Sequence, residues 1–260
     1  MDDKQKKVLE ELLNSKKYRD VYPETVMNAF AEMMKRHSKV KDADKAARAY
    51  LHAITGAFIS PDELTYAKKE LLLWLSGDDD ALERALRAHS STRERIDFAD
   101  EMYERIFSAT GKPETVLDIA CGINPVYLGS RGITDVRGVD IHAGCCETVN
   151  FVSEAKGWKT HVTPGDVILN VPEDECALTL VMKLLPVLET QKPGAAKKLL
   201  ESIKGRFIAV TFPTKTLGGR GVGMEKNYTE WFSRNKPEKM DVLDRFVIGS
   251  ELVYVLERTK

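Results

Sequence analysis

The spacing of apolar side chains divides the chain into two textures. Over roughly the first hundred residues they return at helical intervals, in Val8-Leu9-Leu12-Leu13, in Val26-Met27-Phe30-Met33-Met34 and in Ala46-Ala47-Tyr50-Leu51-Ile54. Pro23 and Pro61 stand where a first helical turn accepts a residue without an N–H, and Ser60 can cap the helix that Pro61-Asp62-Glu63 opens. Gly77 breaks the period, and Asp78, Asp79 and Asp80 start the next helix with acids at its positive end. No strand-like alternation precedes Val116. From there short β-rich runs alternate with helical stretches: Val116–Ile119, Val136–Ile141, Thr160–Thr163, Ala177–Met182 and Phe207–Thr211. That order predicts βαβ units and a parallel sheet. The run from Arg245 to Leu256 reads instead as two strands joined near Gly249-Ser250, an antiparallel hairpin closing the sheet.

The first of these runs carries the most chemistry. Val116-Leu-Asp-Ile-Ala-Cys-Gly-Ile-Asn-Pro125 is a buried strand running into a small-residue turn. Asp140 ends the next apolar run, about 20 residues beyond, where a carboxylate reaches a ribose diol. The turn holds Gly122 alone rather than a G-x-G-x-x-G set, which argues against a pyrophosphate cradle. A ligand with an adenosine and no phosphate fits, and S-adenosylmethionine is the obvious one. Asp166, in Thr163-Pro-Gly-Asp-Val-Ile168, follows the third strand, where its carboxylate can accept from an adenine amino group while the Val167 N–H meets a ring nitrogen. Ligands of open α/β sheets bind at the carboxyl ends of strands, so Ala120, Gly122, Asp140, Asp166 and Val167 converge on one crevice. The predicted fold is therefore α/β: a Rossmann-like class I methyltransferase, mostly parallel with a terminal antiparallel hairpin, at residues 106–260. An all-helical domain at residues 1–105 precedes it.

Composition narrows the setting. The 260 residues suffice for one large domain or two small ones, and 43% hydrophobic with 30% charged content is that of a globular protein. The N-terminus is polar with no apolar run behind it, and Leu71–Leu75 is too short to span a bilayer, so the cytoplasm is the expected compartment. Cys121, Cys145, Cys146 and Cys176 form no C-x-x-C pair and suit reduced thiols, with no metal site expected. A net charge of −1 gives no global sign of nucleic acid. Two basic clusters do stand out locally: Lys35, Arg36, Lys39, Lys41, Lys45 and Arg48, and Lys197, Lys198, Lys204, Arg206, Lys215 and Arg220. Either binds phosphates or is a solvated helix face.

With these motifs in place, the chain resembles the aminoglycoside-resistance methyltransferases that modify 16S ribosomal RNA at N7 of guanine 1405. The resemblance covers nearly the whole chain. It rests on Ser15–Arg19, His89-Ser-Ser-Thr-Arg-Glu-Arg95, Asp118–Pro125, Gly138–His142, Lys183-Leu-Leu-Pro-Val-Leu-Glu189 and Phe212–Glu225. It implies that Arg95 holds the cofactor carboxylate, with Thr92 and His89 lining the same corner. It also implies that the helical part docks on the 30S subunit near helix 44 of the decoding region, making Lys16, Lys17, Lys35, Arg36, Lys68 and Lys69 candidate phosphate contacts. The guanine pocket is expected around Lys183, Pro186, Phe212, Pro213, Arg220 and Met224, with Lys183 and Arg220 steering phosphate or O6. Phe212 and Met224 either touch the base or are core residues, and Gly218–Gly221 is either a substrate loop or a connector. The chain departs from the family at Gly221-Val-Gly-Met224, where Gly-Lys-Gly-Met is frequent, and a monomer is expected. Three other readings stay open: a methyltransferase for a different rRNA or tRNA base, a non-catalytic ribosome-binding protein with a retained cofactor fold, and a small-molecule methyltransferase.

Overall fold

A computed structural model describes residues 1–56, 58–215 and 223–259. The helical half contains α1 (Asp3–Leu13), α2 (Pro23–Arg36), α3 (Val40–Leu51), α4 (Pro61–Leu75), α5 (Asp80–Leu86), α6 (Ser90–Arg95) and α7 (Ala99–Thr110). Its boundaries follow the local chemistry. Pro23 and Pro61 occupy first turns, and Ser60 and Glu63 form a reciprocal capping box at the start of α4. A π-turn over His52–Gly56 ends the α3 segment.

The α/β half contains β1 (Val116–Ile119), α8 (Asn124–Ser130), β2 (Val136–Asp140), α9 (Ala143–Lys156), β3 (His161–Pro164) and β4 (Leu178–Met182). Then come α10 (Leu185–Gln191), α11 (Ala195–Ser202), β5 (Phe207–Pro213), α12 (Met224–Asn235), β6 (Met240–Ile248) and β7 (Glu251–Arg258). The seven strands lie in the order β3-β2-β1-β4-β5-β7-β6, with β7 antiparallel to both neighbours. This is the predicted class I topology with its terminal hairpin, and the turn falls at Gly249-Ser250. The hairpin begins earlier than the sequence suggests, at Met240 rather than Arg245. A bulge between Val242 and Asp244 resets the alternation, and Val242 and Leu243 are exposed on this edge strand, so the run lacks a strand's usual pattern.

Successive strand residues feed opposite faces of the sheet. Leu178, Leu180, Met182, Val253 and Val255 pack with α4, α5, α7, α8 and α9 in one core. Val181, Ile208, Val210, Phe212, Leu252, Tyr254 and Leu256 pack with α10, α11 and α12 in the other. Helices on both faces bury β1 completely, which is why it reads as an unbroken apolar run around Asp118. A third core, built on Leu12, Val26, Phe30, Ala47 and Leu51, is centred on α1–α3, with Ile141 and Val187 of the α/β half packed against it. The helical half is thus physically two things: α1–α3 centre a third core that Ile141 and Val187 help to cover, whereas α4, α5 and α7 complete the core over the sheet.

An isolated antiparallel bridge joins Val21 to His142, before the first strand the sequence shows. The Tyr22 N–H donates to the Ile141 carbonyl at 2.6 Å and the Ala143 N–H to that of Asp20 at 2.7 Å, so α1–α3 are pinned to the loop after β2. No helix among the described residues is long and apolar enough to cross a membrane.

Candidate functional site

The carboxyl ends of β1, β2 and β4, with the loop after β3, surround a crevice lined by His89, Ala120, Asp140, Asp166, Val167 and Lys183. The wall opposite is made by Ile54, Thr55 and Phe58, residues after α3. Two of the lining residues have strained backbones. Ala120 (φ 56°) and Lys183 (φ 54°) are the non-glycine residues with positive φ among those described, each just past a central strand. An L-residue tolerates this region only where surrounding contacts impose it, at a cost of about 1–3 kcal/mol each. Both turns therefore aim the chain into the crevice at some expense to stability, a signature of function that no sequence pattern reveals.

Asp140 is buried and doubly anchored: the Gly122 N–H donates to Oδ2 at 2.7 Å and the His142 N–H to Oδ1 at 2.8 Å. Burial pushes its carboxyl up from the usual range, while these two N–H groups act in the opposite sense. Each oxygen keeps a lone pair, the right acceptor set for a diol. Gly122 is required here for two reasons. Its φ is +52°, and a Cβ would lie 2.6 Å from Nε2 of His89. His89 itself is buried against Phe58, with Nδ1 unpartnered. Burial and the nearby Arg95 charge press its pKa down to about 3, so it is a neutral imidazole with an uncommitted nitrogen at the crevice wall.

Asp166 accepts from its own loop, through the Ile168 N–H at 2.9 Å, and from the other half of the molecule, through the Thr25 hydroxyl at 2.8 Å. Within β1, Asp118 is buried and pushed up to about 7 by desolvation, partly offset by the Asn124 amide that donates to it at 2.7 Å. Asn124 in turn accepts from the Tyr103 hydroxyl. This chain locks the first turn of α8 to β1.

Arg95 and Thr92 are buried but do not line the crevice, lying behind it. Arg95 Nε donates to Glu251 at 2.9 Å and Nη2 to Ser91 at 3.3 Å. Lys183 Nζ lies 2.5 Å from Glu94 and 3.6 Å from Glu251. Glu251 is fully buried. Desolvation raises its pKa, but the Arg95 and Lys183 charges outweigh that and hold the carboxyl below its usual value. Glu251, Glu94 and Thr25 were not identified from the sequence. Glu251 sits beside a turn, where an acid is normally solvated, and Thr25 is an ordinary helical position.

The residues expected around a guanine pocket do not gather in one place. Lys183 lines the crevice, whereas Phe212 is enclosed with Tyr228, Trp231, Phe232 and Tyr254 on the far face of β5. Neighbouring strand residues point to opposite faces, so Thr211, whose backbone and hydroxyl hold the Lys183 N–H, faces the site and Phe212 does not. Pro186 and Pro213 are half-buried, as is Met224, the first residue of α12. Arg220 and the Gly218–Gly221 segment lie outside the described residues, as does the family departure at Val222.

Lys16, Lys17, Lys35, Arg36, Lys68 and Lys69 are all exposed. Lys16 meets Asp62 at 3.2 Å and Lys35 meets Glu32 at 2.5 Å. In the second basic cluster three residues meet acids at the surface: Lys197 pairs with Glu201, Lys204 with Glu173 and Arg206 with Glu257.

Comparison with known proteins agrees with this architecture. The chain is 41% identical over 250 residues to the 16S rRNA (guanine(1405)-N(7))-methyltransferase of Serratia marcescens, covering 96% of this chain and 97% of that one. It is 34% identical to the enzyme of the same description from Micromonospora rosea, over 99% and 98% of the two chains. Among solved structures, that of the 16S rRNA methyltransferase RmtF in complex with S-adenosyl-L-homocysteine superposes with a TM-score of 0.95 at 49% identity, covering all of both chains. Residues 14–255 match the family described as Ribosomal RNA methyltransferase (FmrO), and the chain belongs to that family.

Proposed function

We propose that this protein is an S-adenosylmethionine-dependent methyltransferase that modifies N7 of guanine 1405 in 16S rRNA of the assembled 30S subunit and so confers aminoglycoside resistance. The observation that carries the reading is end-to-end similarity to enzymes of that description, together with a crevice whose acceptors suit an adenosine. In this reading Asp140 takes the ribose, Asp166 and the Val167 N–H take the adenine, and Arg95, which now holds Glu251 outside the crevice lining, takes the carboxylate by exchanging that partner, since a guanidinium fork matches a carboxylate. The cofactor supplies a methyl group on a positively charged sulfur. N7 of guanine carries a lone pair and no proton, so the chain has no proton to remove. Its work is alignment, worth on the order of several kcal/mol of barrier. The base reaches the crevice only by leaving its stack, and Lys183, held by Glu94 and Glu251 just past β4, lines that crevice with a positive charge.

Residues 1–105 serve as the docking domain. Within it the α1–α2 connection, the end of α2 and the exposed face of α4 carry the candidate phosphate contacts. Helix α2 connects the two tasks. Thr25 in its first turn touches Asp166, and Lys35 and Arg36 lie about 15 Å further along at 1.5 Å per residue. The ribosome as substrate places the enzyme in the cytoplasm. The test is transfer of labelled methyl to 30S subunits and to naked 16S RNA, followed by reduction, aniline cleavage and primer extension. A single stop at guanine 1405 from the 30S substrate is the expected result. Label in another nucleotide would move the activity to a different target, and no label in either RNA would refute the assignment.

A further inference from the structure

We infer that Thr25 is a positioning residue for cofactor recognition: a hydroxyl from the docking helices fixes the carboxylate that reads the adenine amino group. The inference rests on the reading of Asp166 given above and adds a residue to it from outside the catalytic fold.

Asp166 ends the crevice floor and has one anchor on each oxygen. The Ile168 N–H holds Oδ1 from within the same loop, and the Thr25 hydroxyl holds Oδ2 at 2.8 Å from 141 positions away. The terminal torsion of an aspartate is soft, so one anchor leaves the carboxylate plane free to turn, whereas two on opposite oxygens set it. Thr25 is only 3% exposed, and it stands in the first turn of α2, which is tied to the α/β half by backbone bonds. The Thr25 N–H donates to the Tyr22 carbonyl, and the backbone of Tyr22 is bonded to Ile141 just past β2. A second tie, from the Tyr50 hydroxyl to Gln191 at 2.8 Å, holds α3 to the crevice rim. The hydroxyl thus has a fixed origin and a single direction, and its acceptor is the group that selects the base.

A positioning role differs from a merely structural one in what it discriminates. If Thr25 sets the plane of the Asp166 carboxylate, its loss matters only for a ligand with a 6-amino group to donate. The experiment is calorimetric binding of S-adenosylhomocysteine and of its 6-deamino analogue, with hydrogen in place of the amino group. The proteins are the full-length wild type, Thr25→Val, Thr25→Ser and Asp166→Asn. Thr25→Val is expected to weaken S-adenosylhomocysteine about fivefold, the worth of one hydrogen bond, and to leave the deamino analogue unchanged. Thr25→Ser, which keeps the hydroxyl, is expected to restore binding. Thr25→Ala serves if the valine does not fold. Equal weakening of both ligands would mean that Thr25 only supports the fold, and the inference would be wrong. Unchanged binding in Thr25→Val with loss in Asp166→Asn would also overturn it while sparing the adenine reading. Unchanged binding in both would remove the adenine reading itself.

Discussion

Arg95→Ala separates what Arg95 does for the fold from what it does for the ligand. In the native protein the side chains of Arg95 and Glu251 are 3% and 0% exposed and 2.9 Å apart. Removing one member of such a pair typically costs 3–5 kcal/mol, because the other charge stays buried. Here Lys183 remains 3.6 Å from the same carboxylate, so the low end applies, about 3 kcal/mol. For a chain of this size that lowers the melting temperature by roughly 6–12 °C. The buried partner is why the substitution reaches the fold as well as the ligand. The effect also has a pH signature. Native Glu251 titrates below its usual value, so its contribution is present above the ordinary glutamate range and lost as pH falls through the depressed folded value. Without Arg95 the same carboxylate is held mainly by desolvation, its pKa rises, and acid then relieves the mutant by protonating it. The stability gap between wild type and Arg95→Ala should therefore be widest near pH 7.5 and narrow towards pH 5. Ligand-free thermal melts across that range measure it, and Glu251→Gln in the Arg95→Ala background should recover part of the loss. An unchanged melting temperature, or a gap independent of pH, would refute the argument that Glu251 is a charge needing compensation.

Asp118→Asn should flatten another pH dependence. A carboxyl raised from about 3.9 in the unfolded chain to about 7 binds its proton preferentially in the folded state, so wild-type stability rises as pH falls between those values. The amide has no such proton, and parallel wild-type and mutant melts from pH 8 to pH 5 would count against a buried, unpaired charge. Phe212→Leu should lower the melting temperature, and Phe212→Ala should cost about 3–5 kcal/mol, with methylation measured at 20 °C largely retained in the leucine variant. An activity collapse in that variant without loss of stability would return Phe212 to the base pocket. Lys35→Glu combined with Arg36→Glu should weaken 30S binding and reduce its salt dependence while leaving cofactor affinity as in the wild type. Unaltered 30S binding at 0.15 M salt would place the docking surface elsewhere.

How much was legible depended on whether a feature was local. The helical intervals around Phe30 and Leu51, the first-turn prolines, the Ser60 cap and the alternation from Val116 onward are all short-range patterns, and each became the element it indicated. The place of Asp140 and Asp166 in the crevice lining was legible because ligands of open sheets bind at the carboxyl ends of strands. Phe212 and Lys183 each open a family motif, yet they diverge in the structure. The period of two along β5 puts Phe212 in the aromatic core, and a left-handed turn puts Lys183 in the crevice.

What the sequence by itself determined is the class of fold, the strand order's ingredients and the acceptors that suit an adenosine. These follow from periodicity and from residue types within a turn or two. Only the tertiary structure decided which charges meet inside. Arg95 and Glu251 are 156 positions apart, and Thr25 and Asp166 are 141 apart. Such pairs leave no local trace, because a threonine in a helix or a glutamate beside a turn is ordinarily satisfied by water. Burial removes that water, and only the packed chain supplies the partner that replaces it.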